Sequence, residues 1–158
     1  MAKLKWLEPA LVLAVFLSDR VSKSLVLARL LHGPAEVFSF LKLTYVENTG
    51  VAFGMFRDSN VFFIFFSAAL VCALLVFRRK ASGLGLAARA GLALVLGGAL
   101  GNLYDRIAYG FVVDFLDLSF FPAVFNVADS SITAGAFLLA IGLNREDEGS
   151  RIKDEGKK

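Results

Sequence analysis

The chain has 158 residues, 57% of them hydrophobic and 20% charged, with sixteen Phe, three Pro and a mean hydropathy of +0.67. That is too apolar for an ordinary soluble domain, and at about 20 residues per span the length holds four membrane-crossing helices with short connections. The net charge of +3 does not indicate nucleic acid, because Lys and Arg lie in the gaps between apolar runs, where membrane topology places them.

Lys3 and Lys5 precede the apolar run Leu7 to Leu17, the order found in a signal peptide. Ser18-Asp19-Arg20 follows in place of a small-x-small cleavage site, so an uncleaved helix from about Leu7 to Val26 is expected. An outer loop of roughly residues 28 to 60 comes next. Within it Val37 to Val46 is β-branched and aromatic with partial alternation and ends at Asn48-Thr49-Gly50, which predicts one or two short strands and a turn on the membrane surface. Val61 to Phe77 is seventeen residues without a charge, stopped by Arg78-Arg79-Lys80. A third span is expected from about Ala87 to Leu103, a second outer loop over roughly 104 to 123, and a fourth span from Val124 to Leu143. Residues 144–158 are too charged and too poor in apolar side chains to fold, so the sequence divides into one domain, 1–143, and a solvated, disordered tail. Eleven of the seventeen basic residues fall on the side of the two termini and the Arg78 to Arg89 connection, which places that side in the cytoplasm. The single cysteine, Cys72, has no intrachain disulfide partner.

An ionised carboxylate costs roughly 2.5 to 3.5 kcal/mol at the bilayer centre and less near the interface, so polar groups near the outer ends of such spans are functional candidates by default. Asp19 and Lys23 are four apart on one helical face and can pair, which as a bland reading is an interfacial salt bridge. Asn48 to Phe53 reads on its own as a turn with an Asx hydrogen bond. Gly97 and Gly101 make a GxxxG packing face, and Asn102, Asp105 and Arg106 follow at i, i+3 and i+4 at its outer end. Asp114, in Val-Val-Asp-Phe, and Asp129, in Phe-Asn-Val-Ala-Asp, stand among apolar neighbours with no basic residue within four positions, whereas Asp19 has Arg20 or Lys23, and Asp105 has Arg106, close by as a partner. Apolar surroundings raise a carboxyl pKa, and two facing carboxylates share one proton, as an aspartyl peptidase requires. Asp117, flanked by Leu116 and Leu118, is a rival by the same criteria. Other chemistries find little support: His32 is the only histidine, no Walker A loop or cysteine cluster occurs, and Ser130 and Ser131 have no base beside them. A small transporter would also place aspartates at helix ends, but four spans without an inverted repeat are few for that.

The motifs Asp19 to Lys23, Asn48 to Phe53, Gly97 to Arg106, Val112 to Phe115 and Phe125 to Asp129 resemble, in order and spacing, bacterial lipoprotein signal peptidase, signal peptidase II, of aspartyl peptidase family A8. The resemblance covers nearly the whole chain; Val51 departs from it, where Ala is expected. It implies an all-α integral membrane fold with four transmembrane helices, a small periplasmic β-sheet cradle and a short amphipathic surface helix. The implied activity is removal of the signal peptide from a diacylglyceryl-modified prolipoprotein, just before the lipidated cysteine. Asp114 and Asp129 correspond to the catalytic dyad, and Asp117 becomes the lesser candidate. Asp19, Lys23, Asn48, Gly50, Asn102, Asp105, Arg106, Asn126 and Ala128 correspond to the supporting polar site. One ionised aspartate would deprotonate water while its protonated partner donates to the developing oxyanion and then to the leaving amine. The resemblance further implies no metal or organic cofactor, membrane lipid and the lipidated substrate as partners, no nucleic acid, a monomer, and inhibitors of the globomycin type at the active site. The enzyme would lie in the bacterial cytoplasmic membrane with its active site near the outer face.

Overall fold

The computed structural model describes residues 6–50, 60–80 and 83–155. In chain order the elements are α1 (Leu7–Arg29), β1 (Ala35–Phe38), β2 (Leu41–Asn48), α2 (Asn60–Lys80), α3 (Leu86–Tyr109), β3 (Val112–Leu118) and α4 (Val127–Glu155). Among the described residues three helical stretches are long and apolar enough to cross a membrane: Asn60–Arg79, Leu86–Tyr109 and Val127–Asn144. The fourth helix, α1, has 23 residues, about 34 Å at 1.5 Å per residue, and carries its charges inward. Glu8, Asp19 and Lys23 are buried along one face, while Leu13, Leu17, Val21 and Leu25 point outward. Phe62, Phe65 and Phe66 give α2 the same apolar exterior, as a bilayer requires.

The helix α3 is central, with α1, α2 and α4 packed on it. Two sets of glycines allow this. A Cβ on Gly97 would lie 2.8 Å from the Val15 side chain, and one on Gly101 would lie 2.7 Å from the Asp19 carboxylate, so the GxxxG face visible in the sequence receives α1. The opposite seam sets Gly91 against Gly135, Gly98 against Ala128 and Gly142 against Ala88, where the backbones of α3 and α4 themselves meet. Gly110, at φ 83°, closes α3 with its N–H on the Arg106 carbonyl at 3.2 Å.

The sheet is antiparallel in the order β1-β2-β3. Strands β1 and β2 form the expected hairpin, with Ala35 opposite Leu43 and Phe38 opposite Leu41. The third strand was not read from the sequence. Val112 and Val113, and then Phe115 and Leu116, supply apolar side chains to both faces of β3, which hides the alternation that marks a strand. It pairs with β2 through Asn48 and Val112, Val46 and Asp114, and Lys42 and Asp117. Val113 and Phe115 pack with Val26 of α1, fixing the sheet to one end of the bundle.

Helix boundaries differ from the sequence reading, beginning with α1, which runs past Val26 to Arg29, and α2, which runs past Phe77 to Lys80. Helix α3 continues to Tyr109, so Asn102, Asp105 and Arg106 sit inside it. Helix α4 begins at Val127 instead of Val124, because Asn126 caps it. Its backbone stays helical to Glu155, beyond the start of the charged segment at residue 144. No short amphipathic helix occurs among the described residues, and Val51, Ala52 and Phe53 of the outer loop lie outside them.

Candidate active site

The site is built in two layers where the sheet meets α1, α3 and α4. The lower layer is a buried charge quartet. Lys23 Nζ donates to Asp105 at 2.7 Å, to Asp19 at 3.0 Å and to Asn102 Oδ1 at 3.0 Å. Arg20 reaches Asp19 at 2.8 Å and Asp105 at 2.6 Å. Two cations thus meet two carboxylates, and this neutrality is what lets four ionised groups sit out of water. The quartet also holds backbone: Asp19 accepts the Ala128 N–H at 3.1 Å and Asp105 the Val113 N–H at 3.1 Å, tying α1 to α4 and α3 to β3.

The upper layer rests on two asparagines. Because Asn102 turns its Oδ1 to Lys23, its Nδ2 must face the other way, and it donates to Asp129 Oδ1 at 2.7 Å. Asn126 Nδ2 donates to Asp114 Oδ1 at 2.6 Å, and Asn48 Nδ2 to Asp114 Oδ2 at 2.8 Å. At the start of α4, Asn126 Oδ1 accepts the Asp129 N–H at 2.8 Å while Asp129 Oδ2 accepts the Asn126 N–H at 3.3 Å. That reciprocal pair is a capping box. It places Asp129 in the first turn of α4, and the β2–β3 pairing places Asp114 beside it. Burial pushes the Asp114 carboxyl up to about 7; the charge on Asp129 adds to the rise, while hydrogen bonds from Asn48 and Asn126 and the charge of Lys23 oppose it.

The carboxyl pair opens into a cleft of about 880 Å³. Asn48, Gly50 and Arg106 complete its polar end, and Leu118, Phe120, Phe121, Val124, Phe125 and Phe137 make its apolar wall. Gly50 donates its N–H to Asn48 Oδ1 at 3.0 Å, the expected Asx turn, which fixes the Asn48 amide so that its Nδ2 meets Asp114.

The residues matched to the family's dyad and supporting polar site gather here, with two changes of partner. Asp105 does not pair with its neighbour Arg106: successive helical residues point about 100° apart, so Asp105 faces Lys23 and Arg20 while Arg106 turns into the cleft and over the Phe63 ring at 5.3 Å. Arg20, read in the sequence only as a cation near Asp19, joins both acids of the quartet and stacks on Tyr104 at 4.7 Å. Asp117 lies apart. Three residues along a strand reverses the face, so it points away from Asp114, toward Thr44 at 3.3 Å. The apolar wall was not foreseen; its Phe120-Phe121 pair was the available signal. Among the described residues no three His, Cys, Asp or Glu side chains gather to hold a metal ion.

The family model for signal peptidase (SPase) II matches residues 11–145. The chain is 44% identical over 135 residues to a lipoprotein signal peptidase of Syntrophomonas wolfei, covering 82% of this chain and 87% of that one. It is 41% identical over 145 residues to the lipoprotein signal peptidase of Caulobacter vibrioides, covering 86% and 85%. A bacterial membrane enzyme solved by the in meso method at 2.3 Å resolution superposes with a TM-score of 0.81 at 31% identity, over 90% of each chain.

Proposed function

The chain belongs to the signal peptidase II family, the membrane aspartic peptidases that remove signal peptides from prolipoproteins, and from that premise we propose which of its residues do the cutting and where. Asp114 and Asp129 are the catalytic dyad. The observation that carries this is their shared anchor, Asn126, at the polar end of a cleft whose remaining lining is apolar but for Ser130 and Thr133.

The dyad holds one proton between its two carboxyls, because charges this close in an apolar site do not both ionise. Asp129, held by Asn102 and the Asn126 N–H, takes a proton from the attacking water. Asp114 gives its proton to the scissile carbonyl oxygen as the water oxygen bonds to the carbon. When the tetrahedral intermediate collapses, the proton on Asp129 passes to the departing amine and Asp114 regains one from the hydroxyl. Arg106, in the same cleft, steadies the substrate backbone and the developing negative charge.

The wall of Phe120, Phe121, Val124 and Phe137 takes the diacylglyceryl chains, so the cut falls just before the lipidated cysteine. The basic-residue bias supports both termini in the cytoplasm and the dyad at the outer face. The peptidase is residues 1–143, with 144–158 outside the site, and it acts as a monomer that globomycin-type inhibitors block at the dyad.

The test is cleavage of a diacylglyceryl-modified precursor by purified protein, read on a gel beside Asp114→Asn and beside the same precursor without lipid. Cleavage of the lipidated form alone, absent in the variant, is the expected result. Equal cleavage of both precursors would remove the lipid-reading wall, and an active Asp114→Asn enzyme would remove the dyad.

A further inference from the structure

At the end of the bundle away from the dyad, one carboxylate ties three helices together. Glu8 of α1 accepts from Arg78 Nε of α2 on one oxygen and from Arg89 Nε of α3 on the other. Glu8 and Asp19 are eleven residues apart on α1, which sets this cluster about 16 Å from the charge quartet. Glu8 is buried, but the Arg78 side chain is 44% exposed, and Arg79 beside it is exposed as well. The consecutive residues Arg78 and Arg79 thus expose their guanidinium charge at this end of α2, whereas Glu8 is buried.

Next to the cluster lies a groove that the peptidase chemistry does not use. Helices α1 and α2 both pack on α3 and scarcely on each other. The gap between them is a cavity of about 500 Å³, walled by Val12, Leu13 and Phe16 of α1, Leu75 of α2, and Leu92 and Leu96 of α3. Its lining offers no polar side chain until Glu8 and Arg78 at its end. It runs along α3 from Leu92 to Leu100, eight residues or about 12 Å.

An occupant of this groove needs an apolar tail and, at one end only, a negative charge. The geometry points to an anionic glycerophospholipid of the leaflet opposite the active site, with one acyl chain between α1 and α2 and its phosphate on Arg78. Basic pockets between membrane helices recognise anionic headgroups in this way, and a guanidinium suits a phosphate oxygen pair better than a point charge does. The basic leading segment of a signal peptide fits poorly, since it would bring positive charge up to the exposed Arg78 and Arg79.

The test is native mass spectrometry of the full chain in detergent, titrated with phosphatidylglycerol or phosphatidylcholine of the same chain length. One bound phosphatidylglycerol is expected, held about tenfold more tightly than phosphatidylcholine, or roughly 1.4 kcal/mol. Two variants separate head from tail. Arg78→Gln removes the charge, and Leu13→Trp, at an exposed position on the rim, fills the groove without touching the cluster. Both are expected to lose that preference, with Leu13→Trp still cleaving precursor at the parent rate. Equal affinity for the two lipids, or phosphatidylglycerol held unchanged by Leu13→Trp, overturns the proposal. So does stoichiometric release of the lipid when lipidated precursor is added, which would give the groove to the substrate. Binding is read without catalysis, so failure here leaves the peptidase assignment standing.

Discussion

Asn126 and Asp129 close on each other at the start of α4: the asparagine side chain accepts the Asp129 N–H at 2.8 Å and the Asp129 carboxylate accepts the Asn126 N–H at 3.3 Å. The same Asn126 amide donates to Asp114 at 2.6 Å. One helix cap therefore sets the positions of both proposed catalytic groups. Asn126→Ala is expected to lower the cleavage rate by about two orders of magnitude, the cost of a misplaced catalytic group. Loss of the cap should lower stability by only about 1 kcal/mol. Gel cleavage beside thermal unfolding separates the two effects, and a large stability loss with unchanged specific activity would contradict this role.

The dyad itself is tested by single and double replacement. Asp114→Asn and Asp129→Asn should each abolish cleavage, and the double variant should be no worse, because residues acting as one unit are not additive. Asp117→Asn should retain most activity, since that side chain faces Thr44 on the other side of β3. An inactive Asp117→Asn beside an active Asp114→Asn would reverse the assignment.

A pH profile follows from Asp114. Its carboxyl stands at about 7 against an ordinary value of 3.8, chiefly through burial. The folded protein therefore holds a proton there that the unfolded chain releases near pH 4. Between those values the native state binds more protons than the unfolded state, so this group's contribution to stability falls as pH rises from about 4 to 7 and is level above. Activity should fall through the same upper limit as Asp114 loses the proton that the proposed mechanism has it donate. The Asn48 hydrogen bond favours the ionised form, so Asn48→Ala should move the alkaline limb of kcat/KM to higher pH. A shift to lower pH, or none, would mean that another group sets the limb.

The sequence displayed the site more fully than the fold around it. Aspartates in apolar runs are legible because each is costly in a membrane, and Asp114 and Asp129 stood out for lacking a neighbouring cation. Strand β3 was not legible, since both of its faces are apolar and alternation is the only local mark of a strand. Nor was the partner of Asp105. Adjacency suggested Arg106, but helical geometry turns the two apart and brings Lys23 and Arg20 from α1, about 80 residues earlier. Contacts of that range are set by packing on Gly97 and Gly101, which a local reading registers only as a packing face.

That change of partner is measurable. In double-mutant cycles Asp105→Asn should couple strongly to Lys23→Met and weakly to Arg106→Gln. Lys23→Met alone leaves Asp19 and Asp105 sharing Arg20 and should cost roughly 3 to 5 kcal/mol of stability, the usual penalty for breaking a buried ion pair from one side. Comparable coupling of Asp105 to Arg106 would place the quartet wrongly.

The last prediction concerns a residue with no polar group at all. A Cβ on Gly98 would collide with the backbone carbonyl of Ala128 and lie 2.8 Å from Ile132. The obstacle on the Ala128 side is backbone, so α4 itself must move. Ala128 immediately precedes Asp129 in the turn that Asn126 caps, and its N–H is held by Asp19. Moving that turn outward lengthens the Asn102 to Asp129 hydrogen bond, now 2.7 Å, and carries one carboxyl away from the other. Gly98→Ala should therefore lower kcat by about two orders of magnitude, as a displacement near 1 Å does in a positioned site, with KM for the lipidated precursor changed less, because Leu118, Phe120, Phe121, Val124 and Phe125 of the apolar wall precede α4. Gly83→Ala, where a Cβ would meet nothing within 4 Å, is the matched control and should cleave normally. A Gly98→Ala enzyme with the parent kcat would show that the α3–α4 seam has slack, and that the dyad's geometry is set by its hydrogen bonds alone.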